Sequence, residues 1–370
     1  MLLRFIKREP VLIIAAVVAA VSMFFAPEPA RCLSFIDWRV LALLWCLMIV
    51  EAGLRACGVF EALAYRLLRL SRRRQRLLGL ILVLLPFFIS MAATNDVALI
   101  TFVPFTLLLL ENADLSEAAP PLLVLQTLAA NLGSMATPVG NPQNLFLYGY
   151  YRLSAAAFFR TVLPVSCISL VLLALASLWA LPNDARIPLP PRPTPRFGWK
   201  LPLYLLLFAV SLLAVFRLIA WWLAALTVLA LTAACDRPRL KQADYGLLLT
   251  FVCFFVFSGN LAGIDSLREL LQGWMEKNAM LTSALASQLI SNVPAAVLLA
   301  PFSRNWQGLL LGVDIGGLGT PVASLASLIT IKFYLNSRAA QSGRFLALFL
   351  ALNGLGLVFF LAVARLLYRV

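Results

Sequence analysis

The sequence predicts an all-α polytopic membrane protein built from two inverted repeats, each with a re-entrant hairpin and a broken transmembrane helix. Three observations predict it. The 370 residues are 62% apolar and only 12% charged, with a mean hydropathy of +0.93, a balance no water-soluble domain carries. Apolar runs long enough to cross about 30 Å of hydrocarbon recur along the whole chain. Segments rich in Asn, Thr, Gly and Pro occur twice, in the same order, once in each half. The runs 11–25, 164–181 and 345–368 lack the strict alternation of a barrel strand. Only helices or closed barrels satisfy backbone groups in lipid, so helices follow.

The first apolar run follows Arg4, Lys7 and Arg8 and carries no small-residue cleavage site, so residues 1–36 read as a retained N-terminal transmembrane helix. With the N-terminus in the cytoplasm, this helix leaves near Pro27, and a second, from Asp37, returns to the basic cluster Arg66 to Arg76. Repeat 1, residues 37–181, continues with a re-entrant hairpin at about 77–110, a broken helix at about 120–151 and a returning span. A Pro-rich cytoplasmic linker, 182–200, carries Arg186, Arg192, Arg196 and Lys200. Repeat 2, residues 201–370, opens with two short spans around Arg217 and a basic loop with Arg237, Arg239 and Lys241. It then runs in the opposite sense: an outward helix from Asp244, a hairpin at about 280–302, a broken helix at about 308–335 and a last helix from Phe345. Most Lys and Arg fall in the loops this path leaves in the cytoplasm, so the net charge of +14 reads as topology-setting charge rather than a nucleic-acid surface.

The six cysteines, Cys32, Cys46, Cys57, Cys167, Cys235 and Cys253, show no C-x-x-C spacing and read as small core residues. The chain has no histidine, which excludes histidine-based metal centres, triads and proton relays. A channel and an intramembrane enzyme are the weaker classes. Duplicated asymmetric hairpins do not make a symmetric pore, and an aspartyl dyad would need Asp96 and Asp314 to meet.

The repeat is visible residue by residue. Thr94-Asn95-Asp96 through Pro104-Phe105 aligns with Ser291-Asn292-Val293 through Pro301-Phe302; Asn95 to Asn292 and Phe105 to Phe302 are both separated by 197 residues. Asn131 to Val139 aligns with Asp314 to Val322 at a separation of 183, and Asp37 with Asp244 at 207. Gly, Pro, Asn and Thr at membrane depth break a helix, which is tolerated only where protein or a wet cavity satisfies the freed groups. Paired breaks in two inverted halves point to a midplane transport site, where half-helix ends offer partial charges of both signs. Small residues such as Gly133, Ser134, Gly316 and Gly317 serve packing equally well. Asn95 and Asn292, amides at hairpin tips, point to a ligand. Asp96 and Asp314 are expected to ligate Na⁺, to carry a proton, or to cap a half-helix. Glu51 and Arg55, four apart on one helical face, are expected to pair with each other.

At these residues the sequence resembles the ion-transporter superfamily of arsenite-efflux permeases, divalent-anion/sodium symporters, NhaD-type sodium/proton antiporters and citrate-transporter-like proteins. The stretch from Asn131 to Asn144 is similar to the arsenite-permease signature, and the short length is similar to small inner-membrane permeases of the YbiR type. The resemblance spans the chain from Asp37. It implies a scaffold domain, a mobile transport domain carrying both hairpins, elevator-like movement and a homodimer. The symporters' Ser-Asn-Thr hairpin motif falls on Thr94-Asn95-Asp96 and Ser291-Asn292-Val293. Both third positions depart from it, which weakens recognition of a dicarboxylate, while Asn95-Asp96 is similar to the permease and antiporter branches.

The expected function is a secondary-active transporter of a small anion, an oxyanion or a carboxylate, in the inner (cytoplasmic) membrane, with a Na⁺/H⁺ antiporter or an arsenite-type efflux permease as the alternative. The expected substrate and ion site comprises Thr94, Asn95, Asp96, Thr137, Pro138, Gly140, Asn141, Asn144, Ser291, Asn292, Asp314, Gly316, Thr320 and Pro321. Asn95, Asp96, Asn292 and Asp314 are the candidate Na⁺ ligands. No catalytic residue and no organic cofactor are expected; the coupling ion is Na⁺ or H⁺.

Overall fold

A computed structural model describes residues 10–25, 29–70, 74–181, 197–338 and 340–368. Pro27, the basic residues Arg4, Lys7, Arg8, Arg72 and Arg73, and linker residues 182–196 with Arg186, Arg192 and Arg196 lie outside the described residues. All regular structure among the described residues is helical.

Helix α1 (Pro10–Phe25) is followed by α2 (Trp38–Ala56) and α3 (Val59–Leu70). Asp37 caps α2 by accepting the Val40 N–H at 3.0 Å, and Asp244 caps α11 (Tyr245–Ala262) by accepting the Leu247 N–H at 2.8 Å. The two acids aligned in the sequence therefore do the same work, each satisfying an orphan donor of a first turn. The single helix expected from Asp37 to the arginine cluster is instead bent by 54° between α2 and α3. Gly58, at φ 73°, makes the bend, in a region glycine occupies without steric cost.

The next segment is α4 (Gln75–Ser90), α5 (Asn95–Glu111), α6 (Ala119–Ser134), a non-helical stretch, α7 (Pro142–Tyr150) and the long α8 (Ala155–Ser177). The second half follows the same order of elements. Its α12 (Asp265–Ile290) is broken at Asn278, whose side chain caps the piece 279–290 by accepting the Leu281 N–H at 2.8 Å. Then come α13 (Asn292–Leu299), α14 (Trp306–Gly316), a second non-helical stretch, α15 (Leu325–Leu335) and α16 (Ser342–Tyr368). Helix α6 packs along α4, and α14 along the second piece of α12. Glycine sets both approaches: a Cβ on Gly133 would lie 2.2 Å from the Phe87 carbonyl oxygen, and one on Gly312 2.4 Å from that of Met280. The pieces after the breaks cross over, α7 packing on α13 and α15 on α5.

Helices α8, α11 and α16 are each long and apolar enough to span a membrane, as is the bent pair α2–α3 taken together. Their outer faces expose Leu172, Leu175, Leu249, Leu355 and Val358. Such a belt is unfavourable in water and costs nothing in hydrocarbon.

Helices α9 (Lys200–Val215) and α10 (Trp221–Cys235) pack on α2. Gly53 of α2 lies so close under the Tyr204 ring that a Cβ would sit 2.1 Å from it. In the loop after α10, buried Asp236 accepts from Tyr204 Oη at 3.0 Å and pairs with Lys200 Nζ at 3.1 Å and Arg239 Nε at 3.3 Å. Burial alone would raise the Asp236 pKa, but the bonds from Lys200, Tyr204 and Arg239 outweigh it and hold it below the usual carboxylate value. Stability from this carboxylate is complete above the unfolded value of about 3.9 and is lost as pH falls through the lower folded value. Asp236→Asn is expected to cost about 1–3 kcal/mol near pH 7. Thermal unfolding of both forms should show the difference shrinking below about pH 4. Arg217, in the turn between α9 and α10, donates to Tyr148 O at 2.8 Å and Leu153 O at 3.2 Å, tying this group to the end of α7.

Candidate functional site

The first hairpin tip and the first helix break form one assembly. The Asn95 N–H donates to Gly140 O at 3.3 Å, and Thr137 Oγ1 donates to Met91 O. Gly140 is obligatory in this contact, because a Cβ there would lie 2.2 Å from Ser134 O and 2.7 Å from Ser90 O. Asn95 Oδ1 accepts the Asp96 N–H at 3.0 Å, which turns its Nδ2 toward Asn131 Oδ1 at 2.9 Å. Asn141 begins α7 by accepting the Asn144 N–H at 2.8 Å. Pro138 lies within the break, where its missing N–H leaves one donor fewer to satisfy.

The second tip repeats this local geometry. Asn292 Oδ1 accepts the Val293 N–H at 2.9 Å, and the absence of a Cβ at Gly317 makes room for Asn292 Nδ2. Ser291, at φ 73° and ψ 154°, holds a backbone conformation that glycine favours, so the tip is strained. Gln288, which the sequence reading missed, organises the second break. Its Oε1 accepts the Thr320 N–H at 2.9 Å, its Nε2 donates to Gly316 O at 2.7 Å, and its own carbonyl accepts from Thr320 Oγ1 at 3.2 Å. Pro321 opens the short turn Pro321–Ala323 that leads into α15. The only prior signal for Gln288 was a polar side chain three residues ahead of the aligned tip.

The two halves meet through polar side chains. Asp314, 2% exposed, accepts from Asn141 Nδ2 at 3.2 Å and from Gln143 Nε2 at 3.4 Å. Ser324 Oγ donates to Asn131 Oδ1 at 3.1 Å, so Asn131 joins the first hairpin tip to the second break. The structure thus brings Asn95 to Gly140 and Thr137 to Met91 at the first tip, puts Thr94, Asp96 and Asn141 on one cavity wall, and brings Ser291 to Ala323, Asn292 to Gly317, Gly316 and Thr320 to Gln288, and Asn141 and Asn144 to Asp314. No described contact joins Asp96 to Asp314.

A cavity of 1070 Å³ opens beside the first tip. Its lining includes Glu51, Thr94, Asp96, Asn141, Pro142 and Leu325, with half-buried Glu61 and Arg239 and exposed Arg55, Asp244 and Lys332. Glu51 and Arg55 do not form the ion pair that their spacing allows. Glu51, 4% exposed, instead accepts from the Thr94 N–H at 2.9 Å and from Thr94 Oγ1 at 3.3 Å, bracing the hairpin tip against α2. The starts of α5, α7 and α15 all reach this cavity, so three helix N-termini turn partial positive charge toward it. Among the described residues, no three His, Cys, Asp or Glu side chains gather as a metal centre.

The chain matches the family described as "Citrate transporter" over residues 1–307. It is 31% identical to an uncharacterized transporter of Methanocaldococcus jannaschii, across 86% of this chain and 87% of that protein. It is also 31% identical to the inner membrane protein YbiR of Escherichia coli, across 84% and 83% of the two chains. A stretch covering 35% of this chain and 26% of the other is 36% identical to a silicon efflux transporter of Oryza sativa subsp. japonica. Among solved structures, the YdaH transporter of Alcanivorax borkumensis, described as having an unusual topology, shares the fold. Its TM-score is 0.60 over 96% of both chains, at 14% identity.

Proposed function

The chain belongs to the citrate transporter family and is a multi-pass membrane transporter; from that premise we propose that it is a secondary-active carrier of a small anion, coupled to Na⁺ or H⁺. The observation that carries this reading is the cavity lined at once by the N-termini of α5, α7 and α15 and by acids, Glu51 and Asp96 among them. Helix N-termini favour an oxyanion or a carboxylate. Acids on the same wall repel it unless a cation or a proton offsets them, so a coupled ion makes the two features compatible. Similarity to a citrate transporter family and, locally, to a silicon efflux transporter supports a small, oxygen-rich solute.

The hairpin tips, breaks and α13 and α15 form the moving unit in this reading, and α2 with α9 and α10 the static one. The cavity opens toward Arg239, in the loop that the positive-inside assignment places in the cytoplasm, so in this reading the state is inward-open. The protein works as a homodimer in the inner membrane, with its N-terminus cytoplasmic. A second reading, Na⁺/H⁺ antiport, draws on the same two acids.

Thermal stability of the detergent-purified chain tests the choice, because a ligand that binds only the folded state raises Tm. Stabilisation is expected from Na⁺ or acid together with one anion from a panel of oxyanions and carboxylates. Stabilisation by Na⁺ alone, opposed by acid and indifferent to every anion, would favour the antiporter.

A further inference from the structure

Eight buried side-chain polar atoms among the described residues have no hydrogen-bond partner, and four of them sit on Asn131, Asn144, Asp314 and Ser327. These four are not scattered. In the register that aligns the two breaks, Asn131 corresponds to Asp314, Asn141 to Ser324 and Asn144 to Ser327, each pair 183 residues apart. The contacts between the halves obey the same register: Ser324 donates to Asn131 Oδ1, and Asn141 donates to Asp314 Oδ1. There are therefore two corresponding crossings, each with two unsatisfied atoms.

Their chemistry differs. The Asp96 N–H fixes Asn95 Oδ1, so Asn95 offers Nδ2 to Asn131, whose oxygen must accept and whose own Nδ2 is the free atom. The residues that register assigns to that crossing offer a free N–H donor, Asn131 Nδ2, and a hydroxyl, Ser327 Oγ, which are chemically complementary. At the other crossing, Asn144 Nδ2 donates to Met135 O and Thr137 O, both at 3.2 Å, which leaves its Oδ1 free. The Asn144 side chain also hydrogen-bonds toward the Asp314 carboxylate, whose Oδ2 is left without a partner of its own. Two acceptors, one of them on a carboxylate and both buried, cannot satisfy each other unless the carboxyl is protonated. They call for a positive charge.

We propose that the crossing of Asp314 with Asn141, Gln143 and Asn144 holds one small hard monovalent cation, Na⁺, and that the corresponding crossing at Asn131 and Ser327 holds none. The free atoms are oxygens only, carboxylate and amide, the ligand set that hard cations select over nitrogen or sulfur. A single carboxylate matches a single charge. The inference rests on the cation-coupled reading and adds to it a place and a stoichiometry.

The test compares the purified full chain in sodium chloride and in choline chloride at equal ionic strength and fixed pH. Saturating Na⁺ is expected to raise the wild-type Tm by about 5 °C. Asp314→Asn should lose that increment and Ser327→Ala should keep it. Equilibrium dialysis with radioactive sodium should find one ion per wild-type chain, a result that does not depend on any variant folding. An increment kept in Asp314→Asn, two ions per chain, or stabilisation by acid with no Na⁺ effect would overturn the assignment. If uptake into proteoliposomes stays Na⁺-dependent in Asp314→Asn, this site is wrong while coupled transport stands. If wild-type uptake depends on neither Na⁺ nor H⁺, the broader reading fails.

Discussion

Asn95→Ala is expected to reduce uptake by more than about tenfold while the protein still folds. The side chain does two things at once: its Oδ1 caps the start of α5 through Asp96, and its Nδ2 reaches Asn131, which in turn receives Ser324 from the other half. Alanine removes both contacts and leaves Asn131 Oδ1 with one donor. Losing a buried hydrogen bond costs about 1–3 kcal/mol, a fraction of the roughly 5–15 kcal/mol that holds a typical domain together. Thermal unfolding should therefore show a modest drop in Tm. Uptake, which needs the tip, the break and the opposite half in register, should fall far more. Full uptake by this variant would remove the first hairpin tip from the transport site.

Gly140→Ala should be among the most damaging single changes to the fold. The new methyl would meet two backbone oxygens, Ser134 O at 2.2 Å and Ser90 O at 2.7 Å, and neither is the end of a flexible side chain. Relief requires separating the first break from the end of α4, at a cost of about 3 kcal/mol or more. Expression with size-exclusion chromatography should show loss of the monodisperse protein. Gly343→Ala is the control, since nothing lies within 4 Å of its Cβ position and the monodisperse fraction should be unchanged.

The features legible in the sequence were those that a local pattern encodes. Asp37 and Asp244 could be matched because a capping side-chain oxygen stands three residues before the donor it satisfies, and both do so. The two tips and the two breaks showed themselves because Asn, Thr, Gly and Pro are costly at membrane depth. What could not be read were partners set by the fold. Spacing places Glu51 and Arg55 on one face, yet Glu51 bonds Thr94, 43 residues further on. The bend at Gly58 gave no warning, since a lone glycine in an apolar run serves packing as readily as a turn. Asn131 stands within a motif, but its place between the first tip and the second break exists only once α15 lies across α5. Gln288 is similar: three of its bonds go to the break beyond α14 or its approach.

Reconstitution into sealed proteoliposomes, with radiolabelled anions of the class that stabilises the purified protein, tests the central claim most directly. Coupled transport predicts anion accumulation against its gradient when an inward Na⁺ or H⁺ gradient is imposed, and collapse of that accumulation when an ionophore dissipates the gradient. Anion flux that only equilibrates, unaffected by any cation gradient, would contradict the account and describe a passive pathway instead.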